Sequence, residues 1–399
     1  MLAVFVFMRL NSVLSYDIIN FTDNFIKVYP EEKYCRRNMK ETQRKREVNH
    51  RIKDFFGEWI MKNRAGFVKI LCWAGKAFIA GVFAFAILSA VTFFYNFTGI
   101  HVTNTTGATD YVWQKNQIMF NMKEGFSYVK MDKNGFNNAD VFENVDILLM
   151  GSSHMEAYQV MQNENCASLL NEYLPEFKTY NIGISGHTIY RIVDNLDSAL
   201  KEFSPSRYVL IETNTVSLDI ETMNEVLNGE ASAIKSYDSG LLFYLQKIPA
   251  FKPLYNQIDN WLNLKSDNDD DSDNVVEETI ISDEYIETIG LFLGEIKKEA
   301  DKYGIVPVIF YAPNESLDPQ GNILFSTDMK YYDVYKTVCE SNGIVFIDMS
   351  DSFRTLYENS NVLAHGFLNT AVGVGHLNKY GHNIVAEKLA AEISKREGI

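Results

Sequence analysis

Hydrophobic positions along this chain fall into three regimes. From residue 77 to 95 nearly every position is apolar, and no Lys, Arg, Asp or Glu occurs between 77 and 108. A helix of about 20 such residues is roughly 30 Å long, the thickness of a bilayer's hydrocarbon core. Residues 66–96 are therefore predicted to form a single transmembrane helix. From residue 145 onward the pattern changes to short β-rich runs at 145–150, 179–184, 208–212, 306–311 and 344–347. Between them lie stretches of helical period, such as 189–203 and 284–303. The last stretch, 380–396, carries apolar residues at Ile384, Val385, Leu389, Ala390 and Ile393, which is helical spacing. Strands alternating with helices of this length predict an α/β domain over 141–399, with a parallel sheet covered on both faces. The third regime, 97–140, is a Thr/Asn/Gly-rich lead-in in which Asp132-Lys-Asn-Gly135 reads as a turn.

Charge orients this plan. Residues 1–95 carry 15 Lys/Arg against 8 Asp/Glu, whereas the rest carries 22 against 44. Arg51, Lys53, Lys62, Arg64, Lys69 and Lys76 crowd the upstream side of the apolar helix, and the next basic residue is Lys115. The positive-inside rule then puts a basic segment, 1–65, in the cytoplasm and the acidic domain outside the cell membrane. A helix starting some 75 residues into the chain does not fit a cleaved signal peptide and reads as a retained single-pass anchor in the lipid bilayer. The apolar run 1–14 is short and broken by Arg9, so a second span is not favoured, and the basic stretch 35–53 reads equally as a helix near the anionic inner leaflet or as a solvated charged helix. So acidic a main domain would be repelled by nucleic acid, which is excluded as a partner.

The 4 cysteines, Cys35, Cys72, Cys166 and Cys339, show no CxxC pairing, and no metal site of the usual spacing exists. In Ser266–Glu278, Asp267, Asp269, Asp271 and Glu278 occupy positions 1, 3, 5 and 12 of a calcium-loop register. Ser272 stands where the sharp turn needs glycine, so 265–279 is read as an acidic, disordered insertion. No metal or cofactor is predicted.

Candidate chemistry sits at the ends of the predicted strands, the edge where open α/β sheets carry their ligands. Asp146-Ile-Leu-Leu-Met-Gly-Ser-Ser-His154 runs an apolar strand into a hydroxyl-bearing turn. Gly183-Ile-Ser-Gly186, Glu212-Thr-Asn214 and Gly375-His-Leu-Asn-Lys-Tyr-Gly381 follow in order. Acyl transfer through a serine needs a nucleophile, a base and donors for the developing oxyanion. Ser153 supplies the first and His376 the second. The backbone N–H groups of Ser153 and Gly186 and the side-chain amide of Asn214 supply the oxyanion hole. Each residue also has an ordinary reading: Ser153 as a strand-end serine, Gly183 and Gly186 as turn formers, Asn214 as a helix cap. It is their combination that favours chemistry. Asn378 is expected to cap the last helix, and His382 to be structural.

The pattern resembles the SGNH (GDSL-like) hydrolase superfamily over residues 145–399. Gly151-Ser-Ser153 is similar to its Gly-Asp-Ser block, Asn181-Ile-Gly-Ile-Ser-Gly186 to its glycine block, Glu212-Thr-Asn214 to its asparagine block, and His376-Leu-Asn-x-x-Gly381 to its histidine block. The resemblance implies a flavodoxin-like, three-layer sandwich of about five parallel strands, esterase or acyltransferase chemistry, and no cofactor. Two departures stand out. Ser152 replaces the aspartate of the first block and is a second candidate nucleophile. Gly373 replaces the carboxylate that would orient the histidine, leaving a Ser–His dyad or a carboxylate from elsewhere, with Asp348 and Glu212 the candidates. His154 and His187 flank the site as candidate substrate contacts.

Outward-facing location and family resemblance together imply an acylated cell-envelope glycan as substrate. Two rivals stay open. One is an O-acyltransferase served by a membrane partner that exports acyl groups. The other, favoured by Gly373, is a non-catalytic carbohydrate-binding domain.

Overall fold

The computed structural model describes residues 38–96, 99–230, 248, 251 and 281–399. Residues 1–37 and the acidic stretch 265–279, with its calcium-loop register, lie outside the described residues. The first described element, helix α1 (Asn38–Asn96), contains one segment long and apolar enough to cross a membrane. That segment is Val68–Thr92, 25 residues with mean hydropathy 2.0 and no part of it buried.

The lead-in folds into two antiparallel hairpins, β1 (His101–Thr103) with β2 (Tyr111–Trp113) and β3 (Ile118–Asn121) with β4 (Ser127–Lys130). Trp113, Met119, Val129 and Met131 are buried, so this segment is part of the core rather than a linker. Asp132 closes the stretch as a turn: its Oδ1 accepts from the backbone N–H groups of Asn134, Gly135 and Phe136.

The domain then alternates strand and helix: β5 (Ile147–Met150), α2 (Ser153–Glu156), α3 (Cys166–Tyr173), β6 (Thr179–Asn181), α4 (Ile189–Phe203), β7 (Tyr208–Thr213) and α5 (Ile220–Leu227). After the undescribed stretch come α6 (Asp283–Tyr303), β8 (Val306–Tyr311), the hairpin β9 (Glu315–Leu317) and β10 (Ile323–Phe325), and α7 (Met329–Ser341). The chain ends with β11 (Val345–Asp348), α8 (Ser350–Ser360), the pair β12 (His365–Gly366) and β13 (Val372–Leu377), and α9 (Lys379–Glu397). Five strands form one parallel sheet in the order β11-β8-β7-β5-β6. The architecture is α/β, with the three-layer, flavodoxin-like arrangement expected.

The period-2 geometry of a strand sorts the core into two halves. Leu148, Met150, Val209, Ile211, Ile309 and Tyr311 pack with Ile192 of α4 and Phe292 of α6. Ile147, Leu149, Leu210, Val308 and Phe310, pointing the other way, pack with Leu170 of α3 and Val385 and Leu389 of α9. Strands buried on both faces read as continuous apolar runs, which is why they are visible in the sequence. Cys339 lies in the first half and Cys166 in the second, both as free thiols, so the sheet separates them.

Candidate active site

The nucleophile turn is built where β5 ends. Ser152 caps α2, its Oγ accepting from the His154 N–H at 3.3 Å. Its own backbone N–H donates to Glu212 Oε2 at 2.8 Å, and its hydroxyl is also turned to that carboxyl. Ser152 is thus occupied in holding the turn. Ser153 is half-buried, and its hydroxyl has no hydrogen-bond partner among the described residues. Of the two candidates it is the one left available for chemistry. The helix it opens lasts one turn and stops at Ala157, whose φ of 54° is left-handed.

His376 sits on β13, and a carboxylate grips it at two points. Glu124 Oε2 lies 2.7 Å from its ring Nδ1, and Glu124 Oε1 accepts its backbone N–H at 2.9 Å. This pairing commits Nδ1 to the carboxylate and leaves Nε2 with no hydrogen-bond partner among the described residues. Burial acts to raise the Glu124 carboxyl, but the hydrogen bonds from the His376 ring and amide outweigh it. The net effect holds the group below its ordinary value and therefore ionised.

Glu124 lies in the turn between β3 and β4, and that turn is fixed by one side chain of its own hairpin and one from the loop before β13. Asn121 Oδ1 accepts from the N–H groups of Lys123 and Glu124, and its Nδ2 donates to the Glu124 carbonyl. Asn369 accepts from the Gly125 N–H and donates to the carbonyls of Met122 and Gly125. Gly375, with φ at 102°, lets the carboxylate in: a Cβ there would stand 2.3 Å from Glu124 Oε1.

This arrangement corrects the expected orienting carboxylate. Asp348 is committed elsewhere, accepting from the Tyr332 hydroxyl at 2.7 Å and from the Ser350 N–H and hydroxyl at 2.8 and 2.6 Å. Glu212 is buried and bound to Ser152; burial raises its carboxyl, partly offset by the Ser152 amide and hydroxyl. Neither bonds the His376 ring. Sequence reading missed Glu124 because it belongs to the lead-in, 252 residues from its partner.

The proposed oxyanion donors sit on neighbouring strand ends. After β6 the backbone continues alongside the nucleophile turn, with the Ile184 N–H donating to the Gly151 carbonyl at 3.1 Å. Gly183 permits this approach, since a Cβ there would lie 2.7 Å from the Glu156 nitrogen. Gly186 follows, exposed and in the left-handed region at φ 82°. Asn214, just past β7, is exposed, and its side chain makes no hydrogen bond among the described residues. It does not cap α5, a role taken by Asp219, whose side chain accepts from the Thr222 N–H.

The flanking histidines are both buried. The His154 ring lies 5.5 Å from that of His376 and 5.3 Å from that of His365. Burial first, and the neighbouring histidines second, hold it well below the ordinary histidine range, so it is neutral. His187 accepts from the Asp110 N–H at 3.3 Å. Burial brings it down to about 4, against the pull of Asp110. Its ring is therefore tied to the hairpin layer rather than presented to a substrate. His382, buried within α9, is pushed down to about 3 by burial and by His365 and His376. Asn378 caps α9, accepting from the N–H groups of Tyr380 and Gly381. Among the described residues no three His, Cys, Asp or Glu side chains are grouped to hold a metal ion.

No family model and no curated protein matches the chain. It is similar to several solved structures. The psychrotrophic esterase EstA of Pseudoalteromonas sp. is 15% identical, with 63% of this chain and 98% of that one covered and a TM-score of 0.34. An acetyl xylan esterase, AlAXEase, is 14% identical over 62% and 98% with a TM-score of 0.36. A Desulfitobacterium hafniense protein placed in the G-D-S-L family of lipolytic proteins is 12% identical over 62% and 99% with a TM-score of 0.33. At these values the comparisons carry no argument for this chain, and the chemistry of the site stands on its own geometry. In the arrangement of its sheet and the order of its four blocks, the chain resembles the SGNH (GDSL-like) hydrolases.

Proposed function

We propose that this chain is a serine esterase that removes an ester-linked acyl group through Ser153 and His376, with Glu124 orienting the base. The two-point grip of Glu124 on His376 carries this reading. It supplies the carboxylate that Gly373 removes from the family pattern, and so takes away the main argument for a non-catalytic domain. His376 Nε2 takes the proton from Ser153 Oγ as the oxygen attacks the acyl carbonyl carbon. The N–H groups of Ser153 and Gly186 and the Asn214 amide stabilise the resulting oxyanion. The bond to the alcohol oxygen then breaks, and His376 returns its proton to that oxygen. Water attacks the acyl-serine by the same route and regenerates the enzyme. Glu124, ionised beside Nδ1, fixes the tautomer and stabilises the imidazolium that forms.

The apolar segment Val68–Thr92 supports a single-pass anchor, and the lysines and arginines upstream of it support a cytoplasmic N-terminus with the acidic domain outside. A domain tethered in that position meets envelope glycans, and an acylated glycan, acetylated in the simplest case, is the substrate we propose. A serine-directed fluorophosphonate followed by peptide mapping tests the chemistry. Modification should fall on Ser153 and disappear in His376→Ala. Labelling elsewhere, or none at all, would overturn it.

A further inference from the structure

We propose that Glu156 is a positioning residue for the oxyanion hole, joining the nucleophile helix to the loop that carries Gly186. The inference rests on the reading of Ser153 and Gly186 given above. Glu156 is one turn beyond Ser153 on α2, and it is buried. A buried carboxyl needs donors, and this one has them from two directions. Trp113 Nε1, on β2, donates to Oε1 at 2.7 Å. The Ser185 hydroxyl donates to Oε2, and the Ser185 backbone N–H is turned to the same carboxyl.

Ser185 immediately precedes Gly186, so the carboxyl holds the residue next to the one that bears the proposed donor. Other contacts enclose the same joint. Gly183 packs against the Glu156 nitrogen without a side chain between them. The Asn181 amide donates to the Met155 carbonyl at 2.6 Å, and the Tyr111 hydroxyl donates to the Ser185 carbonyl at 3.0 Å. Those contacts set how far the loop stands from the helix. Glu156 fixes where Ser185 sits, because it alone among them bonds the Ser185 side chain, while the Tyr111 hydroxyl on the Ser185 carbonyl fixes the peptide that carries the Gly186 N–H. Oxyanion donors act only when aimed at the position where charge develops, and a misplacement of about 1 Å can cost on the order of a hundredfold in rate.

Turnover of p-nitrophenyl acetate by the full chain in detergent tests this, with Glu156→Gln, Ser185→Ala and Trp113→Phe compared with the unaltered protein. The glutamine keeps an acceptor for Trp113 but presents an amide NH2 to Ser185. We expect kcat to fall roughly tenfold in Glu156→Gln and severalfold in Ser185→Ala, with KM and melting temperature near those of the unaltered protein. Trp113→Phe removes the donor that does not reach the loop, so melting temperature should fall while kcat stays within about twofold. A merely structural glutamate would give the opposite split, with losses of stability and no change of kcat in the folded fraction. That result, or wild-type kcat in both Glu156→Gln and Ser185→Ala, overturns the proposal. If the unaltered protein neither turns over ester nor takes up fluorophosphonate at Ser153, the reading of the whole site falls and this inference with it.

Discussion

Two carboxyls reach the proposed nucleophile turn and its proposed base, and they are built in opposite ways. Glu124 comes from a hairpin turn, partly exposed, and its bonds to His376 keep it ionised. Glu212 ends a central strand, is buried, and is pushed upward by that burial. The difference teaches what each can do. A carboxylate that must steady a transient imidazolium needs its charge, and a half-exposed site with the His376 ring and backbone N–H bonded to it preserves that charge. A carboxyl that only ties down a backbone N–H can be buried at the cost of its charge. Position in the fold thus separates an electrostatic task from a structural one, although the residue type is the same.

The sharpest way to break this division is at the groups the carboxyls serve. Ser153→Ala or His376→Ala should lower kcat by about 10⁴-fold or more while the melting temperature holds, measured by ester hydrolysis and calorimetry. Gly375→Ala comes next. It places a methyl group where the Glu124 oxygen lies and forces a left-handed alanine. The expected result is a loss of rate on the order of a hundredfold together with about 1–3 kcal/mol of stability. A variant with normal turnover would show that the Glu124 contact is dispensable.

Glu212→Ala should behave differently. It strands the Ser152 N–H in the interior and costs about 1–3 kcal/mol of stability in denaturant titrations.

The two carboxyls also predict pH effects of opposite sign. Glu124 is lowered in the folded state, so its contribution is present above its unfolded value of 4.5 and is lost as pH falls through the folded value. Stability differences between Glu124→Gln and the unaltered protein should therefore shrink in acid. Glu212, and Glu156 with a value raised to about 7, favour the protonated form in the folded state. Ionisation of Glu156 costs stability as pH rises from about 4.5 toward 7, and ionisation of Glu212 costs stability as pH rises above 4.5. Glu156→Gln should flatten that part of the stability profile, and an unchanged slope there would count against the assignment. The smallest effect is expected for Ser152→Ala, which removes the cap of α2 at a cost of about 1 kcal/mol and leaves Ser153 open to fluorophosphonate.

What the sequence reveals follows the same physical division. Strands β5, β7 and β8 are legible because burial on both faces leaves uninterrupted apolar runs. The loops bearing Ser153, Gly186 and Asn214 are legible because each comes after an apolar strand, and His376 because it lies in a glycine-rich stretch just before the last helix. Strand ends are less so: 179–184 reads as one run, yet β6 stops at Asn181, where the backbone bends to meet the nucleophile turn. Glu124 is illegible. Met122-Lys-Glu-Gly-Phe126 is an unremarkable polar turn, and only the fold brings it to β13. The nearest signals are indirect: Gly375 beside the histidine, and Asn121 before a turn that it can close on itself. Asp348, chosen because it follows the last strand, is instead taken up by the Tyr332 hydroxyl and the start of α8.

The rate at which fluorophosphonate modifies Ser153 in Glu124→Gln, set beside Asp348→Asn, tests the central claim most directly. An oriented base held by Glu124 predicts labelling slowed on the order of a hundredfold or more in the first variant, and an unchanged rate in the second. Equal rates for Glu124→Gln and the unaltered protein, or a slowing confined to Asp348→Asn, would contradict the account.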